Sequence, residues 1–282
     1  MRKLLGAAKR RAGSALKHLF VASPVPLAAK VWAIKRLLPL DPWPRSLAYQ
    51  QCLADRILRR HGPVVQSGPF QGMITIRDAE EGCLIPKLLG CYEEELSQTI
   101  ENLLQSDYDL IIDVGCASGH WLTGLALRAP RAALIGFDAD GMALTRCRKS
   151  VALNGVAGRV RLFGMCDPAA LEEVISGRTL LFMDCDGPEY DLLNPVRVLK
   201  LLQTDIVVEC HDYLNPAITP ALLERFANSH RIERISSRKR EPDAERYPGL
   251  RDLPEKHWAA ALDERRPCVQ EWLIMHSKHW RS

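Results

Sequence analysis

The strongest constraint on this chain is an alternation that fills its second half. Five short aliphatic runs, "LIIDVG" (110–115), "AALIGFD" (132–138), "RVRLFG" (159–164), "TLLFMD" (179–184) and "DIVVEC" (205–210), are separated by segments suited to helices at 120–129, 141–153, 169–176 and 191–202. Strands so uniformly apolar must be covered on both faces, and the helical spacers favour parallel pairing. The expectation is an α/β fold with a doubly wound parallel sheet. A further helix, "TPALLERFANS", leads to "RIERISS", and "VQEWLIMHS" reads as a last strand.

Upstream of the alternation the pattern changes. Prolines punctuate residues 24 to 44, an irregular connector, and "SLAYQQCLADRILRRHG" is a helix stopped by Gly62. "VVQSGPFQGMITI" places Gly-Pro and Gly between two β-prone runs, the mark of a hairpin, and "EEELSQTIENLLQ" (93–105) should be helical. Residues 1–95 are therefore expected to form a basic, mainly helical N-terminal extension or cap, with the α/β domain at 96–282. The segment 236–258, dense in charge and holding three prolines, reads as a surface excursion between the last two strands.

Charge is distributed unevenly. Residues 1–40 hold nine Lys or Arg and no acid, which leaves 29 basic residues against 34 acidic in the rest. The head, "MRKLLGAAKRRAGSALKHLF", mixes leucines with bases: a basic surface helix or frayed tail, with peripheral contact of residues 1–20 with anionic lipid as the alternative. No apolar run approaches the length of a spanning helix. The acidic body and the lack of a basic–aromatic module argue against nucleic acid. Nine scattered cysteines with no zinc spacing, and no evident leader, point to reduced thiols in the cytoplasm.

The stretch Asp113-Val-Gly115-Cys116-Ala117-Ser-Gly119 lies where the first strand should turn into a helix. In a doubly wound sheet that turn borders the ligand crevice, and residues without bulk let backbone approach a ligand. Asp138 closes the second run, where its carboxylate can accept from the vicinal hydroxyls of a ribose, and Asp167 follows the third, where an adenine amine could be met. A dinucleotide site wants G-x-G-x-x-G and a helix end that receives pyrophosphate. Here an acid heads the turn, so phosphate is repelled and a cationic, phosphate-free nucleoside is favoured. S-adenosylmethionine fits that description; NAD does not.

"DVGCASG", "GFDAD", "GMCDP" and "LLFMDCDGPEYDLL" resemble successive motifs of class I SAM-dependent methyltransferases, and the fourth is most similar to the FkbM type. The resemblance covers about residues 93 to 282. It implies a Rossmann-like, mostly parallel seven-stranded sheet with an antiparallel last strand, Asp113, Gly115 and Gly119 shaping the methionine pocket, Asp138 on the ribose and Asp167 near adenine. Cys116 and Ala117 complete the expected cofactor contacts. Two departures stand out: Ala117 replaces the usual middle glycine, and Asp186 a more usual Glu.

Methyl transfer needs alignment and often a base. "MDCDGPEYD" supplies Asp184, Asp186 and Glu189, and "VVECHDYLNP" supplies Glu209, His211 and Asp212. His211, Asp184 and Asp186 are the expected catalytic residues, with His211 taking a hydroxyl proton. The same acids and imidazole also suit a divalent ion, an alternative ranked below the base, and His120 is given no catalytic role. Arg238, Arg240 and Tyr247 are candidates for an anionic or sugar acceptor. The expected function is O-methylation of a sugar or other small acceptor; the alternative is a non-catalytic adenosyl-binding or membrane-associated partner protein.

Overall fold

The computed structural model describes residues 42–77 and 83–280, with side chains of 42–48 left aside. The basic head at 1–20 and most of the proline connector lie outside that range, but residues 42–44 already belong to the first helix. The elements are α1 (Pro42–His61), α2 (Leu84–Leu89), α3 (Ser97–Leu103), β1 (Leu110–Val114), α4 (His120–Arg128), β2 (Ala133–Phe137), α5 (Gly141–Leu153), β3 (Val160–Phe163), α6 (Pro168–Val174), β4 (Thr179–Met183), α7 (Glu189–Leu192), β5 (Asp205–Cys210), α8 (Ile218–Phe226), β6 (His230–Ser236), α9 (Trp258–Leu262) and β7 (Glu271–Ser277), with short 3-10 turns between.

The seven strands form one sheet in the order β3-β2-β1-β4-β5-β7-β6. β1 to β5 run parallel and β7 is antiparallel to both neighbours, a Rossmann-like, mostly parallel seven-stranded sheet with an antiparallel last strand, as the resemblance implied. Every residue of β1, β4 and β5 is buried, as strands covered on both faces require. Alternation splits their side chains between two cores. Ile111, Phe182, Val207 and Trp272 face α3, α4 and α5, while Ile112, Met183, Val208 and Met275 face α6, α7 and α8.

Register places the functional edge. Val114 pairs with Phe137 on one side and Met183 on the other, and Met183 pairs with Val208. The residues that follow these strand ends therefore emerge side by side. Chain direction across the sheet reverses between β1 and β4, so this edge is the topological switch point.

Three expectations need correction. The helix expected at 191–202 is only α7 and a 3-10 turn at Leu199–Gln203, because Pro195 lies between them and cannot continue a helical ladder. The excursion at 236–258 is largely exposed but anchored inward: Tyr247, Leu250 and Leu253 are buried with Leu53, Ile57, Leu88 and Leu262 in a third core built on α1, α2 and α9. The expected hairpin at 63–76 contracts to one antiparallel bridge, Val64 with Ile74. Among the described residues no helix is long and apolar enough to cross a membrane.

Candidate active site

Beyond the carboxyl ends of β1, β4 and β5 opens a cavity of about 640 Å³. Asp113, Gly115, Cys116, Ala117, Asp138, Asp167, Asp184, Asp186 and His211 all line it. Gly119 does not. A Cβ there would lie 2.8 Å from Cys147 Sγ, so Gly119 (φ 86°) serves the close approach of α4 to α5 and the left-handed entry into α4.

Gly115 has an equally structural reason. At φ 88° its Cβ would fall 1.7 Å from the Asp184 carbonyl oxygen, so only glycine lets the turn pass the end of β4. Ala117 takes φ 47° despite its side chain, and its amide donates to Asp138 Oδ2 at 2.8 Å. Asp138 Oδ1 accepts from the Asp140 amide at 2.7 Å. Each Asp138 oxygen thus keeps spare acceptor capacity at the cavity wall while the carboxylate staples the turn to β2. Asp167 caps α6, accepting from the Ala170 amide at 2.8 Å, and stays exposed on the rim.

Asp113 is the unusual member. It is 1% exposed, and its Oδ2 finds no hydrogen-bond partner among the described residues. Burial, then the charges of Asp184 and Asp138, hold its carboxyl well above the ordinary carboxylate range. A buried acid left short of a partner is costly, and a cation in the cavity would offset that cost.

Across the cavity His211 is 2% exposed at the end of β5. Its Nδ1 meets Oε1 of the wholly buried Glu189 at 2.6 Å. Its Nε2 lies 3.5 Å from Asp184, 3.3 Å from Asp186 and 3.6 Å from Glu209. Burial pushes the imidazole down, but the Glu189 hydrogen bond with the charges of Asp184, Glu189 and Asp186 outweighs it, and the net shift is upward. Glu189 moves the opposite way: burial raises it, yet its bond to His211 leaves it below the usual range. Asp184 and Glu209 are raised, chiefly by burial. Asp186 reaches the site from a left-handed backbone (φ 55°) that short acids tolerate better than most residues.

Asp184, Glu209 and His211 offer three ligand atoms within 4.8 Å of one another. Glu209, however, is ion-paired with Arg266, which also meets Glu93 and Glu264 at 3.0 Å each. That guanidinium places a positive charge beside the ligand set and disfavours a divalent ion there. Asp212 does not join the cluster; it accepts from the Thr219 amide and hydroxyl at the start of α8.

Several lining residues had no signal in the sequence. Arg266 sits just before β7, and Glu93, which accepts from Trp121 Nε1 at 2.6 Å, belongs to the segment assigned to the cap. Lys87, Tyr92 and Tyr213 also line the cavity. The proposed acceptor contacts Arg240 and Tyr247 are spent elsewhere: Arg240 is buried against Glu95 and Glu264, and Tyr247 donates to Glu94.

No protein-family model and no curated protein matches the chain. Solved structures similar to it include a SAM-dependent O-methyltransferase from Thermotoga maritima (TM-score 0.43, 16% identity, 66% of this chain and 66% of that one). An rRNA methylase from Streptococcus thermophilus is also similar (TM-score 0.43, 10% identity, 65% of this chain and 97% of that one). So is a cofactor-bound protein from MTB (TM-score 0.45, 13% identity, 91% of this chain and 100% of that one). At such identities the likeness is one of fold alone.

Proposed function

We propose that the protein is a SAM-dependent methyltransferase of the FkbM type, acting on a hydroxyl of a sugar or another polyhydroxylated small molecule in a reducing, cytoplasmic setting. One observation carries this reading: a single cavity joins a bulk-free turn headed by an unpartnered buried acid to an imidazole oriented by a buried carboxylate. Asp113 suits the ammonium of S-adenosylmethionine, and the remaining lone pairs of Asp138 suit a ribose diol. A pyrophosphate would meet acids at the same places. When bound, the cofactor supplies an electrophilic methyl group on a positively charged sulfur.

The chain's own residues supply alignment and proton transfer. Glu189 holds the hydrogen on His211 Nδ1, which leaves Nε2 to accept the acceptor's hydroxyl proton. Asp184 and Asp186 stabilise the imidazolium that results. Tyr213 and Leu214, both exposed beside His211, give the acceptor an apolar rim to stack on. Arg266 holds Glu209, one of the acids near Nε2, and shares Glu93 with Trp121.

Calorimetry with S-adenosylhomocysteine and with NAD tests the cofactor: the first should bind and the second should not. Methyl transfer to a panel of sugars and other polyols, compared between wild type and His211→Ala, tests the base. Undiminished transfer by His211→Ala refutes the mechanism, and binding of NAD in preference refutes the cofactor.

A further inference from the structure

A second cavity, of about 170 Å³, opens at the opposite edge of the sheet, among the amino ends of the parallel strands. Leu110 pairs with Thr179 and Leu180 with Asp205, so the residues just ahead of β1 and β4 meet the start of β5 there. The antiparallel β7 ends at the same place, with Ser277. Tyr108, Arg178, Asp205 and Ser277 line the cavity together with residues of α3 and β6. Its volume far exceeds the about 10–15 Å³ that one water needs.

The acids on its wall are already occupied. Asp205 is 5% exposed, and its two oxygens accept from the Tyr108 hydroxyl and the Ser277 amide, both at 2.8 Å. Glu233 pairs with Arg231 at 2.5 Å and lies 3.8 Å from His276. Arg178 is different. Its guanidinium lies 5.4 Å from the Tyr108 ring centre and donates to Ser106 Oγ at 3.0 Å, while its buried Nε finds no partner among the described residues. Asp109 accepts from the Arg178 amide, not from the side chain, and among the described residues no ion pair joins that side chain to a carboxylate.

A carboxyl or imidazole short of partners can give up its charge, but a guanidinium cannot. A ring face and one hydroxyl compensate it in part. What it lacks is an anionic acceptor, and its planar fork matches the paired oxygens of a carboxylate or phosphate. Neutral donors lie on the same wall. Asn102 Oδ1 is taken by Gln98, which leaves the Nδ2 hydrogens, and the hydroxyls of Thr99 and Ser106 can turn toward a ligand.

We propose that this cavity is a second binding site, for a small oxyanion, a carboxylate or phosphate group held by Arg178 with Thr99, Asn102 and Ser106 as further donors. It is independent of the methyltransferase reading, because it lies at the far end of the strands from Asp113 and His211. A bound anion would tie α3 to the starts of β1 and β4 and raise the stability of the sheet.

Calorimetry and thermal melting with inorganic phosphate, acetate and chloride at matched ionic strength test it. One equivalent of phosphate or acetate should bind saturably and raise the melting temperature, the tighter of the two identifying the oxyanion, and chloride should do neither. Arg178→Gln should weaken that binding by about 10- to 100-fold, the worth of a charged hydrogen bond. Arg178→Lys, which keeps the charge without the fork, should fall between the two. Wild type that binds neither oxyanion in preference to chloride, or Arg178→Gln that binds as wild type does, overturns the site. Should Arg178→Gln fail to fold, Thr99→Glu decides instead. It sets a carboxylate at the cavity from the partly exposed face of α3 and should abolish binding; binding that persists refutes the proposal.

Discussion

Replacing Glu189 by Gln isolates what the buried carboxylate does for His211. The side chain is 0% exposed, and its Oε1 lies 2.6 Å from Nδ1, so the isosteric amide can keep the hydrogen bond and lose only the charge. Its Oε2 already lacks a partner among the described residues, so one unpartnered polar atom replaces another. A hydrogen bond to a charged group is worth about 1.5–3 kcal/mol and a neutral one about half that, a difference of roughly 1–1.5 kcal/mol. Protonation of His211 should therefore weaken by about a factor of ten. Asp184 and Asp186 remain, so part of the upward shift survives.

The imidazole C–H resonance of His211, identified by its loss in His211→Asn, would be followed with pH in both proteins. In Glu189→Gln it should titrate at lower pH, and the acidic limb of the methyl-transfer profile should move with it. Stability follows the same sign. A histidine raised in the folded state contributes stability below its unfolded pKa and loses it as pH rises through the folded value. Urea unfolding of wild type should thus weaken across that window, and the variant should show a shallower slope. An unmoved or upward-shifted titration would refute the assignment of Glu189 as the orienting charge.

Further outcomes follow from the same geometry. Gly115→Ala, whose Cβ would meet the Asp184 carbonyl at 1.7 Å, should cost about 2–5 kcal/mol in urea unfolding from overpacking and left-handed strain combined. Asp113→Asn should melt higher than wild type at pH 8, because an acid raised by burial penalises the folded state once ionised, with the gap closing toward pH 4; its affinity for S-adenosylhomocysteine should fall about tenfold. Protein treated with EDTA should keep its methyl-transfer rate, since Arg266 occupies Glu209; loss restored by Mg²⁺ or Mn²⁺ would show instead that the Asp184–Glu209–His211 set holds an ion.

The sheet was legible because β1, β4 and β5 are buried on both faces and so are written as nearly unbroken aliphatic runs, with β2 and the edge strand β3 keeping the same spacing between helices. The rim residues were legible for the same reason: Asp113, Asp138 and Asp184 are the acids that interrupt or close those runs. What escaped lacks a period. Charges in 236–258 suggested solvent, yet Arg240 lies inward against Glu95 and Glu264, as Arg266, farther along, does against Glu93, Glu209 and Glu264, and a buried ion pair is spelled like an exposed one. The apolar run at 191–202 imitates a helix until Pro195 is weighed. Gly115 and Gly119 announced a turn, but only neighbours distant in sequence, Asp184 and Cys147, reveal why glycine is required.

The third core joins chain regions that lie far apart: Tyr49 bonds His257, and Gln50 donates to the carbonyls of Ala260 and Asp263. Arg266 extends the same join to Glu93 and Glu209 on the cavity wall. During synthesis the central strands can pair as they emerge, whereas this clasp must wait for nearly the whole polypeptide. Closing so wide a loop carries a large entropic toll, so the pocket is the last part of the molecule to become complete. Competence to bind should therefore lag behind the appearance of secondary structure in refolding, and a ribosome-bound chain ending before residue 266 would have a sheet but no finished site.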